Sequence, residues 1–175
     1  MSKSFLPEGY SAPKTSGNYM KFSDGESRFR ILSAPIIGWL DWTPDKKPQR
    51  VPMDKKPSKP MVEGNKIKHF WAVTVWNVKE EKIQVLEITQ ASIQSAIKAL
   101  SEDADWGSPI GAYDIKVTKK GSKLDTEYTV TPIPKSPVSD EIKSAFKAAN
   151  VNLQALFTNG DPFASAQPAA KPEPV

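Results

Sequence analysis

Hydrophobic and polar residues alternate with the period of a β-strand near the start of the chain. Between residues 28 and 31 two apolar side chains alternate with Arg28 and Arg30, which predicts a strand with one buried face and both arginines on the other. Pro35 interrupts this pattern, which resumes in IIGWLDW, residues 36–42. Because proline inside such a run is typical of a bend or a bulge, we expect one long, bent first strand.

Two segments rich in β-branched and aromatic residues follow further along, HFWAVTVWN and IQVLEITQ, separated by VKEEK. They predict a hairpin. Alternation divides its first arm into two sets, with Trp71, Val73 and Val75 on one face and Phe70, Ala72, Thr74 and Trp76 on the other. We take the aliphatic set as the core face, which leaves Phe70 and Trp76 on the open face. An error of one residue in register would reverse this assignment.

The apolar period lengthens to nearly four between residues 91 and 101, where Ile93, Ile97 and Leu100 form one stripe. This pattern predicts a single amphipathic helix. Thr89 is a plausible N-cap, and Gly107 with Pro109 would close the exit.

A second hairpin is predicted in AYDIKVTKKGSKLDTEYTVTPIP, residues 112–134. Its turn, KKGSK, is basic. The apolar positions of the two arms match as Tyr113, Ile115 and Val117 against Tyr128 and Val130.

The resulting order is a long strand, two strands, a helix and two strands, in a mainly β chain. It predicts an OB-fold, a five-stranded Greek-key barrel with one helix between strands 3 and 4, with an SH3-like barrel or an irregular sandwich as alternatives. We expect an irregular N-terminal arm over residues 1–18, with Phe5, Leu6 and Tyr10 as anchors, and the barrel over 19–137. A C-terminal helical extension would cover 138–157, and a disordered tail 158–175.

Positive charge is concentrated in one segment, which we expect to be a flexible loop. From Pro44 to Lys68 there are eight Lys or Arg and three Asp or Glu, which gives 8 − 3 = +5, whereas the whole chain carries +4. Trp39 and Trp42 precede this segment, and a second aromatic group, from His69 to Trp76, follows it. Cations suit phosphates and flat rings suit bases, so the combination predicts binding of a single-stranded nucleic acid. The alternatives are a solvated loop beside ordinary core aromatics, and a protein-interaction module that docks an acidic partner.

Several classes of function receive no support from the composition. Without cysteine and with one histidine, neither a thiolate nor a His-rich metal site can be assembled, and we expect no cofactor. No GxxxxGK[ST] or HExxH motif is present, and His69 lies within a predicted strand, so we expect no enzyme activity. Acidic residues at 103, 105, 125 and 127 could bind magnesium in principle, but the last two fit the turn and strand of the hairpin. No apolar run approaches the length of a membrane span, and we expect a cytoplasmic protein.

Four of these segments also resemble a known family: SGNYMKFSDGESRFRIL, HFWAVTVWN, VLEITQASIQSAI and above all YDIKVTKKGSKLDTEYTVTPIP. They are similar to the single-stranded-DNA-binding, helix-destabilising replication proteins of tailed bacteriophages, over about residues 16–137. The resemblance implies an OB-fold DNA-binding protein, encoded by a phage and acting in the cytoplasm of its bacterial host. Such a protein coats strands exposed during DNA replication, DNA recombination and DNA repair.

The expected DNA-binding residues combine both lines of reasoning. The resemblance implies a track of cations at Arg28, Arg30, Lys66, Lys116, Lys119 and Lys120. It also implies stacking rings at Trp39, Trp42, Phe70, Trp71 and Trp76. The charge pattern adds the basic side chains of the two loops, Lys46, Lys47, Arg50, Lys68 and Lys123.

The chain departs from that family in two respects. Relatives with a zinc subdomain use ligands that this cysteine-free chain lacks, and the usual acidic tail is replaced by TNGDPFASAQPAAKPEPV, which is nearly uncharged. DPF is either a motif for replication or recombination partners or part of a linker. The apolar stripe in residues 139–157 predicts a helix or a broken pair that packs on the barrel, with self-association along DNA as the alternative. Residues alone do not separate DNA from RNA.

Overall fold

The structure is a computed structural model that describes residues 17–105 and 109–164. Eight strands form one mixed sheet, so the chain is mainly β, as predicted. The strands are β1 (Tyr19–Met20), β2 (Gly25–Ile31), β3 (Ile36–Trp42), β4 (Pro48–Pro52), β5 (Lys68–Asn77), β6 (Lys82–Ile88), β7 (Asp114–Lys120) and β8 (Glu127–Pro132). The helices are α1 (Ala91–Glu102) and α2 (Asp140–Ala149), followed by a 3₁₀ turn at Leu153–Thr158. The expectations for Phe5, Leu6, Tyr10, Gly107 and residues 165–175 lie outside the described residues.

The long, bent first strand is confirmed by the register of β2 and β3 on β5. Ile31 is opposite Val75, and Ile36 is opposite Ala72. Five positions along the first strand therefore face three along β5 (36 − 31 = 5 and 75 − 72 = 3), so residues 32–35 form a bulge. Inside the bulge the Ser33 hydroxyl accepts a hydrogen bond from the Thr74 backbone N–H at 3.0 Å, which replaces a ladder bond.

Both predicted hairpins and the helix between them are confirmed. β5 pairs antiparallel with β6, and β7 pairs antiparallel with β8, with Val117 opposite Val130. β7 also pairs with β2, so the second hairpin lies beside the first strand. The N-cap of α1 is Gln90 rather than Thr89, and no side chain caps this helix.

The Pro44 to Lys68 segment was predicted to be a flexible loop, and this prediction is wrong. Residues 48–52 form β4, an edge strand antiparallel to β3, with a proline at each end where no ladder bond is lost. Asp41 is 2 % exposed, and its carboxylate accepts hydrogen bonds from the backbone N–H groups of Trp42 and Met61. The segment therefore folds back on β3 and is held there by the β3–β4 pairing and by the Asp41 carboxylate.

Two apolar clusters lie on opposite faces of the β5–β6 hairpin. The first cluster contains Val73 and Val75 of β5 and is closed by α1 through Ile93 and Ile97. The second cluster contains Phe70 and Ala72 and is closed by Leu153 and Leu156 from the C-terminal part of the chain. From Ala72 to Asn77 both faces of β5 are thus buried. Our assignment of Phe70 and Trp76 to an open face is wrong, since Phe70 is 0 % exposed and Trp76 is 7 % exposed.

The C-terminal part packs on the sheet, as expected for the helical extension, and its folded region extends past residue 157. The Asn159 side chain donates a hydrogen bond to Gln49 of β4, and the Pro162 carbonyl accepts one from the Asn152 backbone. Phe163 of the DPF motif packs against the second cluster. The predicted disordered tail is therefore folded up to residue 164. None of the helices in the described residues is long and apolar enough to cross a membrane.

Candidate nucleic-acid interface

Three aromatic side chains lie together on the face of β3 and β5 that continues from the first cluster. Trp39 is directly across from His69, and Trp71 follows two residues later on β5. The Trp39 and His69 rings are 5.2 Å apart between centroids and tilted by 51°. The Trp71 indole Nε1 donates a hydrogen bond to His69 Nε2 at 3.2 Å. We call these three residues the aromatic platform.

Two groups from the segment after β3 contact the Trp39 ring of the platform, a lysine and a backbone carbonyl. Lys56 Nζ lies 4.3 Å from the centroid of the Trp39 ring, a cation–π contact. The Trp39 indole Nε1 donates a hydrogen bond to the Met53 carbonyl at 3.1 Å, so the turn after β4 holds the ring at its edge. Trp39 and Trp71 are partly exposed, and Ile37 beside them is 45 % exposed. The platform is therefore held in place and reachable from solvent.

Exposed lysines are frequent in the segment that connects β3 to β5. Lys46 and Lys47 lie in the β3–β4 turn, and five more follow β4, at Lys55, Lys56, Lys59, Lys66 and Lys68. Within residues 17–105 and 109–164, none of them has an ion-pair partner. Their charge is therefore available to a polyanion.

Trp42 belongs to this region but not to the platform. It is 39 % exposed and stands opposite Pro48 at the end of β3. Successive side chains of a strand point to opposite faces, and Trp42 is three residues from Trp39, so the two rings lie on different faces of β3.

Arg30 was predicted to lie on the DNA track, but it is a structural residue. Its side chain is 4 % exposed, and its Nε lies 2.6 Å from Asp114 Oδ1. Its other nitrogens donate to the carbonyls of Gly111 and Ser136 and to the Ser136 hydroxyl. Arg28 binds the second oxygen of Asp114 at 2.9 Å and keeps 45 % exposure. Only Arg28 of this pair is accessible to a ligand.

Three more of the predicted DNA-binding residues have little or no exposed surface: Arg50, Phe70 and Trp76. Arg50 is 12 % exposed, pairs with Glu87 at 2.5 Å and lies 6.0 Å from the centroid of Phe70. Phe70 and Trp76 are buried as described above. In this structure none of the three can meet a base or a phosphate without repacking.

The basic turn of the β7–β8 hairpin is present but lies elsewhere. Lys119 is opposite Gly25, at the start of β2, whereas the β3–β4 turn lies at the far end of the same bent strand. Lys116 pairs with Glu26 at 3.5 Å, and Lys119 pairs with Asp24 at 3.8 Å. Lys120 and Lys123 are exposed and, among the described residues, have no ion-pair partner.

Sequence reasoning missed the roles of Asp41, Lys56 and His69. Asp41 ties the basic segment to β3, Lys56 covers Trp39, and His69 joins the two tryptophans. The signal that could have been used for His69 is its spacing, since His69 and Trp71 are two residues apart in a strand and so share a face. The other two contacts depend on how the segment folds back, which no local pattern encodes.

The chain matches no protein-family model, no curated protein and no solved structure. The likeness to phage replication proteins therefore stays an expectation.

Proposed function

We propose that the chain binds single-stranded DNA without strong sequence preference and coats strands exposed during phage DNA replication, recombination and repair. The observation that carries this proposal is the aromatic platform with Lys56 on Trp39 and exposed lysines around it. Stacking on a ring contributes about 1 to 3 kcal/mol per base and tolerates any base, while lysines neutralise phosphates. Self-association along DNA and recruitment of replication or recombination proteins through the C-terminal region stay predictions.

We also propose that the sheet is an OB-type Greek-key barrel. In this reading β2 and β3 together are strand 1, and β5, β6, β7 and β8 are strands 2 to 5. The pairings of strand 1 with strands 2 and 4, of 2 with 3 and of 4 with 5 support it, as does α1 between strands 3 and 4. Within the described residues β6 pairs with β1 rather than with β8, so the barrel would be open there.

The binding track we propose differs from the one expected for this fold. The second cluster, with its C-terminal cover, occupies the face of β5 and β6 that carries Phe70. The platform lies on the other face, at the start of β5, next to the lysines of the β3–β5 connection. We therefore place the stacking contacts at Trp39 and Trp71 and the phosphate contacts at the surrounding lysines.

A preference for single strands follows from the same geometry. Base faces are accessible only when unpaired, and neither described helix is suited to a major groove, since α1 carries one lysine and packs on the sheet and α2 has only ten residues. If about 4 to 6 phosphates are neutralised, log affinity should fall with log salt at a slope of about −3 to −4. Titration of tryptophan fluorescence with oligo-dT, oligo-rU and duplex DNA at several salt concentrations tests this. A slope near zero, or equal affinity for the duplex, would reject the proposal.

The alternative function, docking on an acidic protein partner, is favoured by one observation. An apolar groove of about 570 Å³ continues from Trp71 and Ile37 towards Ile97 of α1 and Pro35 of the bulge. Such a groove could take an apolar side chain of a partner whose acidic residues meet the lysines. The two functions differ in the titration, because only a coating protein shows a fixed site size on oligonucleotides of increasing length.

A further inference from the structure

His69 lies between the two tryptophans of the platform and contacts both. Its Nδ1 is 2.9 Å from the Gly38 carbonyl oxygen, and its Nε2 is 3.2 Å from the Trp71 indole Nε1. Its ring packs against Trp39 across the strand pair. The backbone carbonyl of His69 accepts a further hydrogen bond from the Gln94 side chain of α1.

These partners determine where the imidazole proton is. A carbonyl oxygen can only accept, so Nδ1 must carry the hydrogen, and an indole N–H can only donate, so Nε2 must be bare. We infer that His69 positions Trp71 and Trp39 as a neutral imidazole protonated on Nδ1, and that a second proton, on Nε2, disables this arrangement. The consequence for ligand binding rests on the proposed function.

Protonation would put two N–H groups against each other. The Trp71 indole would lose its acceptor, and its ring would be free to leave the orientation it has beside His69. Of the charged groups near the ring, Lys56 lies over Trp39, and Asp41 on β3 is engaged by two backbone N–H groups. Among the described residues no carboxylate lies within ion-pair distance of His69.

Two opposite effects on DNA binding then follow. An added positive charge strengthens phosphate contacts, which salt screens, whereas loss of the Trp71 hydrogen bond weakens stacking, which salt screens little. Extrapolating log affinity against log salt to about 1 M removes the first effect. The remaining affinity for oligo-dT should fall about two- to tenfold when the pH is lowered from about 8 to about 5.5, the factor expected for one hydrogen bond.

The direct test uses the fact that the chain has one histidine. Nitrogen-15 NMR of the imidazole distinguishes the two tautomers without any need for assignment. We expect the proton on Nδ1 in the free protein. In the variant His69→Gln, which keeps an acceptor oxygen and cannot be protonated, the affinity extrapolated to high salt should not change with pH, while Tm should remain close to that of the parent.

The outcomes distinguish the positioning role of His69 from the proposed binding of single-stranded DNA. A proton on Nε2 at neutral pH, or the same pH dependence in His69→Gln as in the parent, overturns the role of His69. If the tautomer is as inferred and the tryptophan fluorescence of the parent, but not of His69→Gln, follows the protonation of His69, then the positioning role holds. Should oligo-dT still fail to bind, the proposed function alone is rejected.

Discussion

Replacing Phe70 by alanine tests whether DNA binding depends on the aromatic platform or on the opposite, buried face of β5. Phe70 is 0 % exposed, lies 6.2 Å from Phe157 between ring centroids, and packs among Ile36, Leu40 and Leu156 in the second cluster. Truncating a buried phenylalanine costs about 3 to 5 kcal/mol, through lost transfer free energy and the cavity left behind. In a domain of this size that corresponds to a fall in Tm of about 6 to 20 °C.

The matched variant is Trp39→Ala on the other face. Trp39 is partly exposed, so its loss should cost less stability than the loss of Phe70, but should weaken binding of oligo-dT by about 1 to 3 kcal/mol. Thermal unfolding measures the first quantity and fluorescence anisotropy of a labelled oligonucleotide the second. The folded fraction of Phe70→Ala should bind like the parent. Our placement of the platform is refuted if Phe70→Ala weakens binding without loss of stability while Trp39→Ala leaves binding unchanged.

The remaining predictions concern charge and stability. Asp114→Asn should destabilise the fold by about 3 to 5 kcal/mol, because it leaves the buried Arg30 short of its counter-charge, whereas Glu26→Gln, in an exposed pair, should cost less than about 1 kcal/mol in a urea titration. Changing Lys119, Lys120 and Lys123 of the β7–β8 turn to glutamine should leave Tm nearly unchanged. If these lysines contact phosphates, the slope of log affinity against log salt should shrink by about 0.7 for each phosphate that is no longer neutralised. An unchanged slope would show that this turn does not contact DNA. Burial raises the pKa of the Tyr113 phenol in the folded state, and the negative charge of the Asp103 carboxylate raises this pKa further. The stability that the neutral phenol contributes is therefore complete below about pH 10 and is lost as the pH rises through the folded-state pKa. In Tyr113→Phe the free energy of unfolding should fall less over this pH range than in the parent. An equal fall in both proteins would contradict this prediction.

The elements predicted correctly are those with a strong local period. The β5–β6 and β7–β8 hairpins and α1 each repeat their apolar positions several times, so the period fixes both type and place. β1 has only two residues, too few to show any period, and it is held by parallel pairing with β6. β4 contains two prolines in five residues, a composition that disfavours a central strand and is tolerated in an edge strand such as this one.

The candidate site was predicted less well, for a physical reason. Alternation divides a strand into two sets of residues, but it does not say which set is covered by distant parts of the chain. Val73 and Phe70 are both buried, one under α1 and the other under residues 153–157. Likewise Arg30 and Arg50 were assigned to DNA as exposed cations. Arg30 is buried and Arg50 is partly buried, and each pairs with a carboxylate that lies far along the chain.

Binding of bases at the aromatic platform can be observed by photo-crosslinking of an oligo-dT in which one thymine is replaced by 5-iodouracil, followed by peptide mass spectrometry. Iodouracil couples preferentially to an aromatic ring on which it stacks. We expect crosslinks at Trp39 and Trp71 that unlabelled oligo-dT competes away and that duplex DNA competes away poorly. Crosslinks confined to the β7–β8 hairpin, or no crosslink that unlabelled oligo-dT reduces, would contradict the proposal that the aromatic platform binds single-stranded DNA.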